Sequence, residues 1–142
     1  KDVTILFNYF ENQIDDAKAI YNSCSQETQA KIHFDIFGKD LRSYISIMNQ
    51  CDLIIGNDGG AINMAKALNK PAFTIFSPFV EKKIWATLED GLRNISVHLN
   101  DFKPELFTNI NHDEIKKNHT SLYQLLSPEL FKDKIDFFIN NN

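Results

Sequence analysis

The sequence predicts an α/β protein with a Rossmann-like parallel sheet that has helices on both faces. Short apolar segments alternate with helical patterns over the first two-thirds of the 142 residues. The short connections between them favour right-handed crossovers and therefore parallel strands. The stretch from Asp52 to Gly56 is apolar almost throughout, which is typical of a strand that a parallel sheet buries on both faces.

Periodicity places the elements in order from the N-terminus. Apolar runs or strict alternation predict strands, and apolar residues three or four apart predict helices. Ile14, Ala17 and Ile20 share one helical face, for example, and Gly38 ends the second strand. The predicted strands are 3–10, 31–37, 52–56, 71–76 and 94–99, and the predicted helices between them are 15–23, 41–48 and 61–68.

The last third of the chain has a different pattern. Residues 101–111 are predicted to be irregular, 113–126 to form one helix, and 140–142 to fray. Ser127 and Pro128 suit the N-cap and first position of a final helix. The Phe-rich face of that helix is a candidate surface for a partner. We expect one domain over 1–142, with C-terminal helices over 113–142.

Composition excludes several classes of protein. The chain has 15 basic and 19 acidic residues with no clustered basic stretch, so a nucleic-acid coat is not expected. No apolar run reaches the roughly 20 residues of a membrane span, and no signal peptide is recognisable. Cys24 and Cys51 are the two cysteines. We expect them to be free, in a reducing, cytoplasmic compartment.

Parallel sheets bind ligands beyond the carboxyl ends of their strands. In this sequence those ends are residues 8–11, 38–39, 56–60, 77–79 and 100–102. The most informative of them is the turn Asp58-Gly59-Gly60 between a strand and a helix. Two glycines let a ligand approach the backbone, and the free N–H groups of the helix favour a diphosphate. Asp58 is expected to cap the helix.

The same turn also occurs in many α/β domains as an ordinary connecting loop. These residues alone therefore leave open whether the turn binds a phosphate or only connects the strand to the helix. The Gly-x-Gly-x-x-Gly fingerprint and the P-loop ending Gly-Lys-Ser/Thr are both absent. Dinucleotide oxidoreductases and P-loop NTPases are therefore disfavoured.

The stretch from Cys51 to Pro78 resembles the donor-binding segment of glycosyltransferase family 9, the ADP-heptose:lipopolysaccharide heptosyltransferases. Upstream, the segment from Gly38 to Leu41 is similar to that family's Gly-x-x-[Ser/Thr]-Leu segment. The resemblance covers roughly residues 3–80. The residues in register within its densest part are Asp52, Asp58, Gly60, Ala65, Ala67, Leu68, Pro71, Phe76 and Pro78.

The resemblance implies the C-terminal, donor-binding lobe of a GT-B enzyme, whose two Rossmann-like lobes face each other across a cleft. The donor is a nucleotide diphosphate-sugar such as an ADP-sugar. Asp58, Gly59 and Gly60 would meet its diphosphate and sugar. Ser77 and Pro78 would close the pocket. The implied donor-binding residues are Asp58, Gly59, Gly60, Asn63, Ser77, Pro78 and, for the ribose, Glu11.

Two departures from the family pattern stand out. Gly59 occupies the position of the family's Ser or Thr, and Asn63 that of its His. Because Asn63 cannot be cationic, its contact with the donor would differ. A stand-alone, non-catalytic Rossmann-like binding module is therefore the alternative function.

The family's reaction is an inverting sugar transfer that needs neither metal nor cofactor. A base on the N-terminal lobe deprotonates the acceptor hydroxyl, and the donor lobe stabilises the leaving diphosphate. The chain starts at Lys1 and has no counterpart of that lobe. We expect a truncated piece that is inactive alone. Its whole enzyme would act on a lipid-linked saccharide in lipopolysaccharide or surface polysaccharide synthesis, in the cytoplasm or at the inner membrane.

Several other side chains are weaker candidates for functional residues. Lys82, Lys83 and Trp85 follow the Ser77-Pro78 turn, where they could clamp a phosphate and stack on a base, or simply form a solvated loop. His112 and His119 lack an obvious third ligand, so no metal site is expected. His33 and His98 lie in predicted strands, where a structural role is expected, and Glu89 and Asp90 are read as surface charges.

Overall fold

The computed structural model describes residues 3–9 and 11–142, without the side chain of Glu11. The chain divides into two compact units, Lys1–Gln50 and Cys51–Asn142. Both combine parallel strands with helices, so the predicted α/β class is confirmed. The single domain expected over 1–142 stays a prediction. In the described part of the chain, no helix is both long and apolar enough to cross a bilayer.

The N-terminal unit has one short pair of parallel strands. Strand β1 (Ile5–Leu6) pairs with β2 (Ile32–His33), with Ile5 opposite Ile32. The predicted strands 3–10 and 31–37 are thus much shorter than expected. The helices of this unit are α1 (Ile14–Ser23), α2 (Gln26–Gln29), which periodicity did not predict, and α3 (Leu41–Gln50).

Aromatic packing explains the short strands. The ring of Phe34 contacts those of Phe7 and Tyr21 edge-on, with centroids 5.5 and 5.3 Å apart. Tyr9 and Phe37 stack at 4.8 Å. These aromatic side chains produce the alternating apolar pattern that is typical of a strand. They pack against one another, however, and the pattern does not mark residues whose backbone pairs with another strand.

The C-terminal unit contains a three-stranded parallel sheet in the order β3-β4-β5. The strands are β3 (Ile54–Asn57), β4 (Ala72–Ile75) and β5 (Asn94–Val97). Between them lie α4 (Gly60–Ala67) and the four-residue α5 (Lys82–Trp85). The predicted strands 52–56, 71–76 and 94–99 are confirmed, with ends that differ by at most two residues.

Helices cover both faces of this sheet. On one face lie the paired residues Gly56 and Thr74. Helix α4 covers this face, since its Ile62 side chain lies 3.6 Å from the position that a Cβ on Gly56 would take. Phe73 and Ile95 are paired residues on the opposite face. The core on that side joins them to C-terminal residues. Its buried members are Phe73, Ile95, Val97, Leu99, Leu122, Leu126, Phe131 and Phe138.

The C-terminal region differs from expectation in two ways. The helix predicted over 113–126 is two helices, α6 (His112–Lys117) and α7 (His119–Gln124), which meet at Asn118. The predicted irregular stretch 101–111 contains the 3₁₀ helix Pro104–Phe107 and begins at the last residue of another, Leu99–Asp101. Asn111 and Glu114 form a capping box at the start of α6, a local signal that should have separated it from the loop before it.

The final helix α8 (Pro128–Asn141) begins with Ser127 as N-cap, as predicted. The expected partner-binding Phe stripe is wrong, because Phe131 and Phe138 are 6% and 0% exposed in the core. The predicted fraying is also wrong. The Asn142 side-chain amide donates to the carbonyl oxygens of Leu92 and Phe138, each at 3.0 Å, which fastens the end of the helix.

Candidate functional site

The turn after β3 extends the sheet before α4 begins. The Asp58 backbone N–H, one residue beyond β3, donates to the carbonyl of Ile75, the last residue of β4, at 3.0 Å. Gly59 follows with φ 155° and ψ −168°, a region that only glycine populates readily. A Cβ there would meet nothing within 4 Å. The backbone conformation, not crowding, therefore accounts for glycine at the position where the family pattern has Ser or Thr.

Gly59, not Asp58, is the N-cap of α4, so the predicted capping role of Asp58 is wrong. The first helical hydrogen bond runs from the Asn63 N–H to the Gly59 carbonyl at 3.1 Å. Because Gly59 has no side-chain acceptor, the first N–H groups of α4 are left to solvent or a ligand. Tyr123 of α7 donates its hydroxyl hydrogen to Asn57 Oδ1 at 2.8 Å, beside the turn.

The turn opens into a cleft of about 510 Å³ at the carboxyl ends of the strands, within the C-terminal unit. This volume lies in the range of roughly 300–1,000 Å³ that small-molecule sites occupy. Three parts of the chain line it: the turn with the start of α4, the segment after β4, and α6. The lining residues are Asp58, Gly59, Gly60, Asn63, Phe79, Val80, Glu81, Ile84, Trp85, His112 and Lys116.

The structure brings four of the predicted donor-binding residues together in this cleft: Asp58, Gly59, Gly60 and Asn63. Ser77 and Pro78 are not among the lining residues, although they directly precede the segment that is. The side chain of Glu11 lies outside the described part of the structure. A donor contact at any of these seven positions stays a prediction.

The segment after β4 gives Lys82 and Trp85 different roles. The Lys82 ammonium donates to the Ser96 carbonyl at 3.0 Å and to Asp101 Oδ2 at 2.8 Å. These bonds draw it into the fold, so it is not a clamp that is free to close on a phosphate. Trp85 lines the cleft with 57% of its surface exposed, which leaves its ring available for stacking.

His98 has a structural role, as predicted. It is 6% exposed, and its Nδ1 accepts the Asn100 N–H at 2.9 Å. Nε2 therefore carries the proton of the neutral ring and donates it to the Pro78 carbonyl at 3.2 Å. Burial lowers the pKa of His98, against smaller opposing effects of Pro78 and Asp101, which favours this neutral form.

The remaining histidines and acids also have structural contacts. His112 Nε2 donates to the Phe79 carbonyl at 3.0 Å, whereas His119 Nδ1 lies 2.8 Å from the Lys116 carbonyl. Among the described residues, no group of His, Cys, Asp or Glu could hold a metal ion. Neither cysteine forms a disulfide. Glu89 and Asp90 are exposed, as predicted, but both also have structural contacts. Glu89 accepts hydrogen bonds from the Ser96 N–H and hydroxyl, and Asp90 Oδ1 accepts three backbone N–H groups.

Sequence reasoning missed two charged residues of the cleft, Glu81 and Lys116. Glu81 could have been found, since it follows β4 by a few residues and strand ends were the expected site. His112 and Lys116 are four residues apart and so share one face of α6, but only the tertiary structure turns that face to the cleft. The lining thus combines two carboxylates, a lysine and several apolar side chains.

Comparison with known proteins identifies the family. No curated protein and no solved structure matches the chain. A family model described as glycosyltransferase family 9 (heptosyltransferase) matches residues 7–109, well over half of the 142 residues. That range extends past residue 80 and includes β5 and the whole segment after β4. The Rossmann-like α/β arrangement fits a lobe of the GT-B type. The chain belongs to glycosyltransferase family 9.

Proposed function

We propose that this chain is the donor-binding lobe of a family 9 glycosyltransferase and binds a nucleotide diphosphate-sugar in the cleft at Asp58-Gly59-Gly60. The observation that carries the proposal is the position of the cleft. It lies at the carboxyl ends of parallel strands, where such sheets bind ligands, and it includes four of the residues that the family resemblance selects.

Each part of the cleft has a chemical role in this proposal. The unpaired N–H groups at the start of α4 and the open space beside Gly59 and Gly60 receive the diphosphate. Asp58 accepts hydrogen bonds from sugar hydroxyls, which avoids repulsion between its carboxylate and the phosphates. The Asn63 amide donates and accepts hydrogen bonds where a histidine would stand in the family. Ser77 and Pro78 support the cleft. A ribose contact of Glu11 remains an expectation from the family resemblance.

The reaction proposed for the whole enzyme is an inverting transfer without metal or cofactor. The acceptor hydroxyl, deprotonated by a base outside the residues of this cleft, attacks the anomeric carbon as the diphosphate leaves. Backbone N–H groups at α4 stabilise the charge that grows on the leaving group. A lipid-linked saccharide as acceptor, lipopolysaccharide or surface polysaccharide as product, and a cytoplasmic or inner-membrane location remain part of the proposal, as does inactivity of this chain alone.

Titration with ADP and an ADP-sugar, followed by NMR chemical shifts, tests donor binding. We expect shifts at Gly59, Gly60 and Asn63 at millimolar ligand. Asp58→Asn should change the affinity for the ADP-sugar more than that for ADP, because its carboxylate is assigned to the sugar. Asp52→Asn is the matched control, since this exposed carboxylate precedes β3, at the other end of the strand from Asp58.

Absence of any shift around residues 58–63 with either ligand would contradict donor binding. It would favour the alternative, a non-catalytic Rossmann-like binding module, for which the change from His to Asn63 is the specific observation. Equal effects of the two Asp→Asn variants would remove Asp58 from the site while leaving the cleft as the place of binding.

A further inference from the structure

Five of the residues that line the cleft come from one stretch, residues 77–85, which we name the wall segment. They are Phe79, Val80, Glu81, Ile84 and Trp85. The regular structure of the wall segment is the four-residue helix α5. A single helical turn is not stable by its own hydrogen bonds. The position of the wall must therefore be set by contacts with other parts of the fold.

His98 attaches the start of the wall segment to the sheet. Its Nε2–H donates to the Pro78 carbonyl at 3.2 Å. The ring directly follows β5 and is 6% exposed, so water competes little for this bond. The Asn100 N–H occupies Nδ1, and it thereby fixes the tautomer in which Nε2 is the donor.

Lys82 attaches the middle of the wall segment to the same strand. Its ammonium donates to the Ser96 carbonyl of β5 at 3.0 Å and to Asp101 Oδ2 at 2.8 Å, with a Glu89 carboxylate oxygen at 3.9 Å. Asp101 Oδ2 also accepts the backbone N–H of His98 at 3.0 Å. One carboxylate thus joins both attachments, and hydrogen bonds to charged groups are the stronger kind.

We propose that Lys82 and His98 are positioning residues that hold the wall segment against the end of β5 and so set the width of the cleft. Neither side chain is among those that line the cleft, so we assign to both an effect on the ligand through the wall segment. The inference rests on the proposed function in one respect, namely that the cleft binds the nucleotide-sugar. The attachment itself can be measured without ligand.

The first test uses Trp85, the single tryptophan of the chain, as a reporter on the wall. Lys82→Met removes the ammonium but keeps the length of the side chain. Lys83→Met is the matched control, because Lys83 is the exposed neighbour on the same short helix. In Lys82→Met we expect faster acrylamide quenching of Trp85 and faster hydrogen exchange of the Ile84 and Trp85 amides. Equal behaviour of the two variants would overturn the role of Lys82.

The second test separates the two nitrogen atoms of His98. His98→Gln places an amide donor near the position of Nε2, so it can still reach the Pro78 carbonyl. His98→Asn instead places an acceptor near Nδ1, which can still cap Asn100. If His98 positions the wall, His98→Asn loosens it and His98→Gln does so less. The opposite order would show that His98 serves only as a cap, and would overturn its positioning role. Should both variants fail to fold, the Lys82 pair still decides the proposal.

The third test joins the wall to binding, with ADP as probe. Loss of one attachment should weaken ADP binding about threefold to tenfold, the range expected for one hydrogen bond, in Lys82→Met and His98→Asn. Lys83→Met should bind like the unsubstituted chain. A loosened wall with unchanged ADP affinity would overturn the proposal. If the unsubstituted chain does not bind ADP, the proposed function fails, while quenching and exchange still decide the attachment.

Discussion

Two neighbouring phenylalanines of α8 give a sharp test of where the core lies. Phe138 is 0% exposed, and its ring centroid is 5.6 Å from that of Phe73 on β4. Phe137 is 46% exposed. Phe138→Ala and Phe137→Ala make the same chemical change one residue apart on one helix, so their helix propensities change equally. The difference between the two variants therefore measures burial alone.

The expected magnitudes follow from this exposure. Truncating a fully buried Phe costs roughly 3–5 kcal/mol, because apolar contacts are lost and a cavity remains. Phe137 already exposes nearly half of its surface, and its truncation should cost about 1 kcal/mol, at the centre of the range for single substitutions. A typical domain unfolds with about 5–15 kcal/mol. Phe138→Ala should thus remove a large part of the stability, and Phe137→Ala a small part.

Urea unfolding followed by far-UV circular dichroism measures both free energies. A lower midpoint with an unchanged slope is expected for Phe138→Ala. Equal losses for the two variants, or a larger loss for Phe137→Ala, would refute the assignment of Phe138 to the core. Such a result would restore the Phe-rich face of α8 as a candidate surface for a partner.

Three further predictions concern the sheet and the site. Burial lowers the pKa of His98 from its usual 6.5, so its contribution to stability is complete above pH 6.5 and is lost as the pH falls through the folded-state pKa. Urea midpoints between pH 8 and 5 should decline, and less so in His98→Gln. Asn69 follows α4 with φ 57°, so Asn69→Ala should cost roughly 1 kcal/mol in thermal or urea unfolding, whereas Asn69→Gly should not destabilise. Gly59→Ala should cost about 1–3 kcal/mol through backbone strain and also weaken ADP binding, whereas Gly91→Ala, at φ 73° and outside the cleft, should lower stability with unchanged affinity.

Local patterns predicted the C-terminal sheet well and the N-terminal strands poorly. The runs at 54–57 and 72–75 form parallel strands as expected, because their β-branched and aromatic residues lie beside strands of the same kind. The rings of Phe7 and Phe34 satisfy the same pattern but pack against each other. Alternation reports which residues are buried, and it does not report whether the backbone has a partner strand.

Helix ends follow the same distinction. Ser127-Pro128 started α8 as predicted, because a cap and a first-turn proline act within a few residues. The one-turn helices α2 and α5 were missed, since four residues are too few to show a period. Asn69 and Lys70 close α4 by donating to the Lys66 and Ala65 carbonyls, a motif that the sequence Asn-Lys-Pro after a helix makes recognisable.

The sequence by itself determined the α/β class, the family resemblance and the turn Asp58-Gly59-Gly60, because each depends on residues close together in the chain. The tertiary structure alone decided what faces that turn. It turned Lys116 of α6 toward the cleft, drew Lys82 inward to Ser96 and Asp101, and buried Phe138 against Phe73. These contacts join residues 14 to 65 positions apart, and no local pattern encodes them, since they depend on how the chain folds back past the ends of its strands.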